Sequence, residues 1–161
     1  MIKLRSAIEA LARHKVKFVI VGGVAINLHS SAYVTYDLDF CYSRERENLK
    51  RIVEALAHFK PRLRDFSENL PFIWDEQTLK SGTNFTFQTN IGDIDMLGEV
   101  TGVGAFEDVL AQSKVMNLFG FEINVLSIEG LIKAKKAAGR TKDLLVLPEL
   151  EALQEALKRE E

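Results

Sequence analysis

The sequence has 161 residues, which suits one domain with a sizeable core and falls short of two ordinary domains. Apolar residues make up 47% of it, which excludes general disorder, and a formal net charge of −2 argues against a generic polyanion binder while hiding local clusters. Cys41 is the only cysteine, so neither an internal disulfide nor a thiolate-built zinc site is available.

The N-terminal residues read as an amphipathic helix over 2–14, with Leu4, Ala7, Ile8 and Leu11 at helical spacing. Glu9 and Arg13 break its apolar residues, so it is not a signal peptide. The longest apolar run, Phe18 to Ile26, is far too short for a membrane span, and a cytoplasmic protein without a membrane partner is expected.

Val16 to Val21 is a short apolar and β-branched run, the composition of a strand covered on both faces. Gly22-Gly23 ends it, and a second apolar stretch, Val24 to Leu28, follows as a helix. A helix opening at a bare glycine turn presents unpaired N–H groups and the positive end of its dipole, which suit a phosphate. After a polar passage comes Asp37-Leu38-Asp39-Phe40, in which strand alternation sets the two carboxylates on one face. Like charges so close repel, and such a pair usually persists because a cation lies beside it.

Ser43 reads as the N-cap of a helix carrying Leu49, Ile52, Val53 and Leu56, which Pro61 stops. The basic run Lys60 to Arg64 is a solvated loop or, alternatively, a phosphate contact; Pro71 to Trp74 is a core edge or, alternatively, a base-stacking platform. Phe85 to Thr89 and Asp93 to Leu97 form a hairpin through Asn90-Ile91-Gly92. It directs Ile94 and Met96 to the core and leaves Asp93 and Asp95 on the open side, where either can join Asp37 and Asp39.

Glycines 98, 102 and 104 mark a flexible connection to a helix over 105–112, and two more strands lie near 115–118 and 121–126. Ser127 caps a helix whose inward stripe is Ile128, Leu131 and Ile132; Lys135 falls near the centre of that stripe, so it either snorkels or points into a polar site. Lys133, Lys136, Arg140 and Lys142 surround it with positive charge. Pro148 is placed as the first residue of a last helix over 148–160, with Leu150, Leu153 and Leu157 along one edge.

Taken singly these features are common on protein surfaces; their order describes two-metal nucleotidyl transfer. An acceptor oxygen attacks the α-phosphate of a nucleoside triphosphate in line while pyrophosphate leaves, and two Mg²⁺ ions about 3.5–4 Å apart stabilise both oxygens. In that scheme Asp37 and Asp39 bridge the ions, Asp95 completes the second ion's shell and takes the acceptor proton, the Gly22-Gly23 turn holds the outer phosphates, and Lys135 neutralises the triphosphate.

The motifs VGGVAINLH, T-Y-DLDF, T-N-IGDIDML and SIEGLIKAKKAAGRTKD, spanning nearly the whole chain, resemble those of the DNA polymerase beta-like nucleotidyltransferase superfamily. The likeness is to its small branch of minimal nucleotidyltransferases and abortive-infection toxins of toxin–antitoxin pairs. The resemblance implies an α+β fold, a mixed β-sheet with helices packed mainly on one side, over a single domain of residues 1–161. It implies Mg²⁺ and a nucleoside triphosphate such as ATP, with Asp37, Asp39 and Asp95 as the acid triad and metal ligands. Lys135 and Asp143 match the late-helix motif, with Arg140 as a further phosphate contact. Tyr33 stands where many relatives carry a basic residue. The expected acceptor is a hydroxyl of RNA, such as a tRNA end, or of protein, with an antitoxin or a second copy as partner. The alternatives are an aminoglycoside-type small-molecule acceptor, or a non-catalytic nucleotide-binding module of the same fold.

Overall fold

The computed structural model describes residues 1–30 and 37–160. The chain opens with α1 (Leu4–Arg13), which buries Ala7, Ile8 and Leu11 as its spacing predicts. β1 (Phe18–Val21) is buried at every residue and runs without a loop into α2 (Gly22–Ser30). The two glycines are therefore the first turn of the helix itself, and Gly22 takes the left-handed backbone, φ 65°, that makes the sharp reversal. β2 (Leu38–Tyr42) returns antiparallel to β1.

α3 (Arg46–Leu56) and a 3₁₀ turn (Ala57–Phe59) follow. The expected cap at Ser43 is not made. The helix starts at Arg46 after Glu45, because Ser43 still belongs to the sheet corner: its N–H donates to the Lys17 carbonyl at 3.2 Å and its Oγ accepts from the Glu45 N–H at 3.3 Å. Asn48 fastens the same corner, accepting from the Lys17 N–H at 2.7 Å and donating to the Ser43 carbonyl at 2.8 Å.

Next come β3 (Arg62–Leu63), α4 (Glu76–Lys80), β4 (Asn84–Thr89) and β5 (Gly92–Leu97). In the segment between β3 and α4, Arg62 donates to the carbonyls of Ser67 and Leu70, and Trp74 donates to the Val53 carbonyl while meeting Phe87 edge-on at 5.0 Å. Trp74 is thus a core-edge residue. A two-stranded ribbon of β6 (Glu99–Val100) and β7 (Gly104–Ala105) leads to α5 (Phe106–Ala111), then β8 (Ser113–Leu118), β9 (Phe121–Leu126), α6 (Ile128–Ala138) and α7 (Thr141–Glu160).

Seven strands form one sheet in the order β3-β4-β5-β2-β1-β9-β8. It is mixed: β2 with β5 and β1 with β9 run parallel, and the other neighbours antiparallel. The α+β class with a mixed sheet is as expected. Core residues Leu38, Phe40, Ile94 and Met96 occupy one face of its centre, and all four are fully buried.

Ser127 caps α6 by accepting from the Gly130 N–H at 3.1 Å, and Gly139 ends it in the left-handed conformation with its N–H on the Lys135 carbonyl. The last helix starts at Thr141 rather than at Pro148, which lies inside it. The tight Gly139 turn and the burial of Asp143 in the first turn of α7 fix that earlier start, and the helix continues past the proline to fully buried Leu150. No helix among the described residues is long and apolar enough to cross a membrane.

Candidate active site

The acids of β2 and β5 are aligned by register. Parallel pairing of these strands sets Asp39 directly beside Asp95, and antiparallel pairing of β5 with β4 sets Asp95 beside Thr86. The three side chains form one row across adjoining strands, on the face opposite Leu38, Phe40, Ile94 and Met96. Within the row Thr86 donates its hydroxyl to Asp95 Oδ1 at 2.6 Å.

Gly22 closes the far end of the row. A Cβ on it would lie 2.9 Å from the Asp39 Cγ and closer still to one carboxylate oxygen, so the carboxylate occupies the space a side chain would need. Because α2 begins at Gly22, the N-terminal end of that helix adjoins the carboxylate.

Burial, then the hydrogen bond and charge of Asp95 and the charge of Asp37, push the Asp39 carboxyl up to about 8, against the pull of Lys135. Asp39 Oδ1 is buried and has no hydrogen-bond partner among the described residues. Asp37, just before β2, is also raised, by burial and by the charges of Asp95 and Asp93, with Arg64 opposing. These acids are held together at an electrostatic cost that a bound cation would remove.

A cavity of about 220 Å³ lies between Asp39, in this row, and the junction of α6 with α7. Gly22 and Asp39 form one wall; Lys135, Arg140 and Asp143 form the other, with Leu97, Leu126 and Leu131 among the apolar residues between them. A larger hollow, about 510 Å³, lies at the opposite end of β1 around Phe18, Phe106 and Phe121 and gathers none of the expected site residues. Size alone does not mark the site.

The lysine at the centre of the inward stripe of α6 is explained by its partner. Lys135 donates to Asp143 Oδ1 at 3.1 Å, with its side chain 18% exposed and that of Asp143 fully buried. Arg140 reaches the same carboxylate through its backbone N–H at 3.2 Å, Nε at 2.6 Å and an Nη at 3.2 Å. Hydrogen bonds from Arg140, followed by those of Lys135, hold the Asp143 carboxyl down to about 2. Asp143 is therefore the anchor that fixes two cations at the cavity wall, and both of its oxygens are engaged by the chain itself.

The register also separates Asp93 from Asp95. Asp93 pairs with Gln88 and lies 3.7 Å from Arg64, whereas Asp95 adjoins Asp39. Gly23 follows Gly22 in the first turn of α2, and Tyr33 lies outside the described residues. Thr86 is the residue that sequence reasoning passed over. The signal was countable: a hairpin joined through Asn90-Ile91 pairs Thr89 with Gly92 and hence Thr86 with Asp95.

The donor set fits a hard divalent cation, on the evidence of the buried, unpartnered Asp39 oxygen and the carboxylate beside it. Among the described residues no three acid, histidine or cysteine side chains converge into a ready cage. Mg²⁺ characteristically takes one or two carboxylates and completes its shell with water and substrate phosphates, which is what this pair leaves room for.

No protein-family model matches the sequence, and no curated protein is significantly similar to it. Solved structures do match. The lincosamide antibiotic adenylyltransferase LnuA, bound to lincomycin, superimposes with a TM-score of 0.61 at 12% identity, covering 93% of this chain and 95% of that one. ANT(2″)-Ia in complex with adenylyl-2″-tobramycin gives 0.58 at 13% identity, covering 98% and 95%. A Thermotoga maritima protein assigned only provisionally as a nucleotidyltransferase gives 0.54 at 17% identity, covering 99% and 96%. At these identities the likeness is one of fold, and the chain has the mixed-sheet α+β fold of these nucleotidyltransferases.

Proposed function

We propose that the chain is a Mg²⁺-dependent nucleotidyltransferase that moves a nucleoside monophosphate from a nucleoside triphosphate to an acceptor hydroxyl. The observation that carries this reading is the pairing of Asp39 with Asp95 at the Gly22 start of α2, across one cavity from Lys135 and Arg140.

In this reading Asp39 and Asp95 would hold Mg²⁺ as a pair, with Asp37 adding a third carboxylate beside them and substrate phosphates completing the coordination. Bound there, Mg²⁺ supplies Lewis-acid stabilisation of charge on the phosphoryl oxygens. The first-turn N–H groups of α2, at Gly22 and Gly23, receive the outer phosphates. Lys135 and Arg140 offset triphosphate charge from the opposite wall, held there by Asp143. Asp95, its other oxygen engaged by Thr86, takes the proton of the acceptor hydroxyl as the new bond to the α-phosphorus forms. The bond from the α-phosphorus to the pyrophosphate oxygen breaks, and pyrophosphate departs.

The first acceptor reading is RNA, such as a tRNA end, or protein. Lys135 and Arg140 line the cavity and exposed Lys142 follows close in sequence, positive charge suited to a polyanion. A small hydroxylated molecule is the second reading, favoured by the near end-to-end superposition on two antibiotic adenylyltransferases. The test is transfer of label from an α-labelled nucleoside triphosphate, with Mg²⁺, to RNA, protein and aminoglycoside or lincosamide acceptors. Transfer that Asp39→Asn and Asp95→Asn abolish supports the enzyme, and the labelled acceptor chooses between the readings. Nucleotide binding with no transfer to any acceptor sinks catalysis and leaves a binding module.

A further inference from the structure

Beyond the acids themselves, the geometry points to Thr86 as a positioning residue for the metal-binding pair: its hydroxyl fixes Asp95 so that the oxygen not bound by Thr86 faces Asp39. The inference rests on the proposed function, since it gives Thr86 a part in that same site.

Three observations support it. Thr86 lies opposite Asp95 in the β4–β5 register, and Asp95 lies opposite Asp39 in the β2–β5 register, so the three form an unbroken row on one face. The Thr86 hydroxyl donates to the carboxylate at 2.6 Å, a short hydrogen bond between neighbouring strands. Finally, threonine is β-branched and stiff about χ1 in a strand, which makes it a fixed rather than a searching donor. A carboxylate with one oxygen held in this way has lost the rotation that would otherwise turn its free oxygen from the partner acid. Ligating carboxylates are commonly oriented by such partners, whose removal costs roughly 10–100-fold in metal affinity or activity.

The experiment compares the parent chain with Thr86→Val, which keeps the branched shape and strand preference but removes the donor, and Thr86→Ser, which keeps the donor. Mn²⁺ binding, read by electron paramagnetic resonance or calorimetry, should weaken by about 10–100-fold in Thr86→Val and recover most of that loss in Thr86→Ser, which keeps the donor without the branch. At saturating Mn²⁺ and nucleoside triphosphate, Thr86→Val should still show a reduced kcat with KM for the nucleotide little changed, since the proposed phosphate contacts, the Gly22-Gly23 turn with Lys135 and Arg140, do not involve Thr86. The melting temperature serves as a control, because replacement of an isosteric strand residue leaves the fold standing. Parent-like Mn²⁺ affinity and kcat in Thr86→Val overturn the role of Thr86 and leave the active-site reading intact. A parent protein that binds no Mn²⁺ overturns both.

Discussion

At the scale of single residues, the site is defined by what cannot be exchanged. Gly22 combines φ 65° with an Asp39 carboxylate filling the place of its missing side chain. Alanine there has two penalties: left-handed backbone strain of about 1–3 kcal/mol, and displacement of the carboxylate. Gly22→Ala should therefore lower stability by roughly that amount, measured by urea denaturation, and also remove Mn²⁺ binding. Loss of stability with metal binding intact would show that the contact with Asp39 is incidental. Asp143 is the counterpart on the opposite wall. Asp143→Ala leaves the partly buried Lys135 amine without its partner and should destabilise the chain by about 1–3 kcal/mol. The sign of the pH dependence follows from its depressed carboxyl, near 2 when folded against an ordinary value of 3.8. Its contribution is complete above the ordinary value and disappears as pH falls through the folded one, so acid unfolding of the parent should include a component that Asp143→Ala lacks.

Elements were legible in the sequence wherever their cause was local. The alternation Phe85-Thr86-Phe87 and Asp93-Ile94-Asp95 fixed strands β4 and β5 and the face of their acids, and the i, i+3, i+4 spacing fixed α1 and the inward stripe of α6. Alternation could not choose between Asp93 and Asp95, because both lie on one face; the choice belongs to the register with β2, a pairing remote in sequence. The anchor at Asp143 was illegible for the same reason: its burial depends on the fold of α6 onto α7. The start of α7 failed differently. Proline favours a first helical turn, but here tertiary contacts hold a helix through it from Thr141 to fully buried Leu150. The helix therefore carries a propensity penalty of about 3 kcal/mol relative to alanine, offset by about 0.4–1 kcal/mol of unfolded-state restriction. Pro148→Ala should stabilise the protein by about 2 kcal/mol, a rise in melting temperature of about 4–8 °C; a fall would mean that the proline shapes the helix in a way the packing requires.

For the molecule as a whole, the acid row opposes stability in the cation-free state, and this sets how stability should respond to pH and metal together. Asp39 titrates near 8 in the folded chain, mainly through burial and then through Asp95, against 3.8 ordinarily. A carboxyl raised on folding supports the fold fully below its ordinary value, and that support is lost as pH rises through the folded value. Without divalent cation the melting temperature should therefore fall as pH rises from about 4 to about 8 by the part owed to Asp39. Cation and proton compete for the same carboxylate, so the stabilisation from Mg²⁺ should be small at the acid end and grow with pH. At a concentration about 100 times the dissociation constant it amounts to about 2.7 kcal/mol, and each kcal/mol moves the melting temperature of a domain this size by about 2–4 °C. Asp39→Asn removes the titrating group and one metal ligand together, so the variant should lose both the downward slope and the Mg²⁺ response. Calorimetric scans across this pH range, with and without Mg²⁺, read the two effects in one experiment. A parent whose melting temperature ignores Mg²⁺ at high pH while Asp39→Asn removes the slope would mean that Asp39 is raised by its protein surroundings alone and holds no cation.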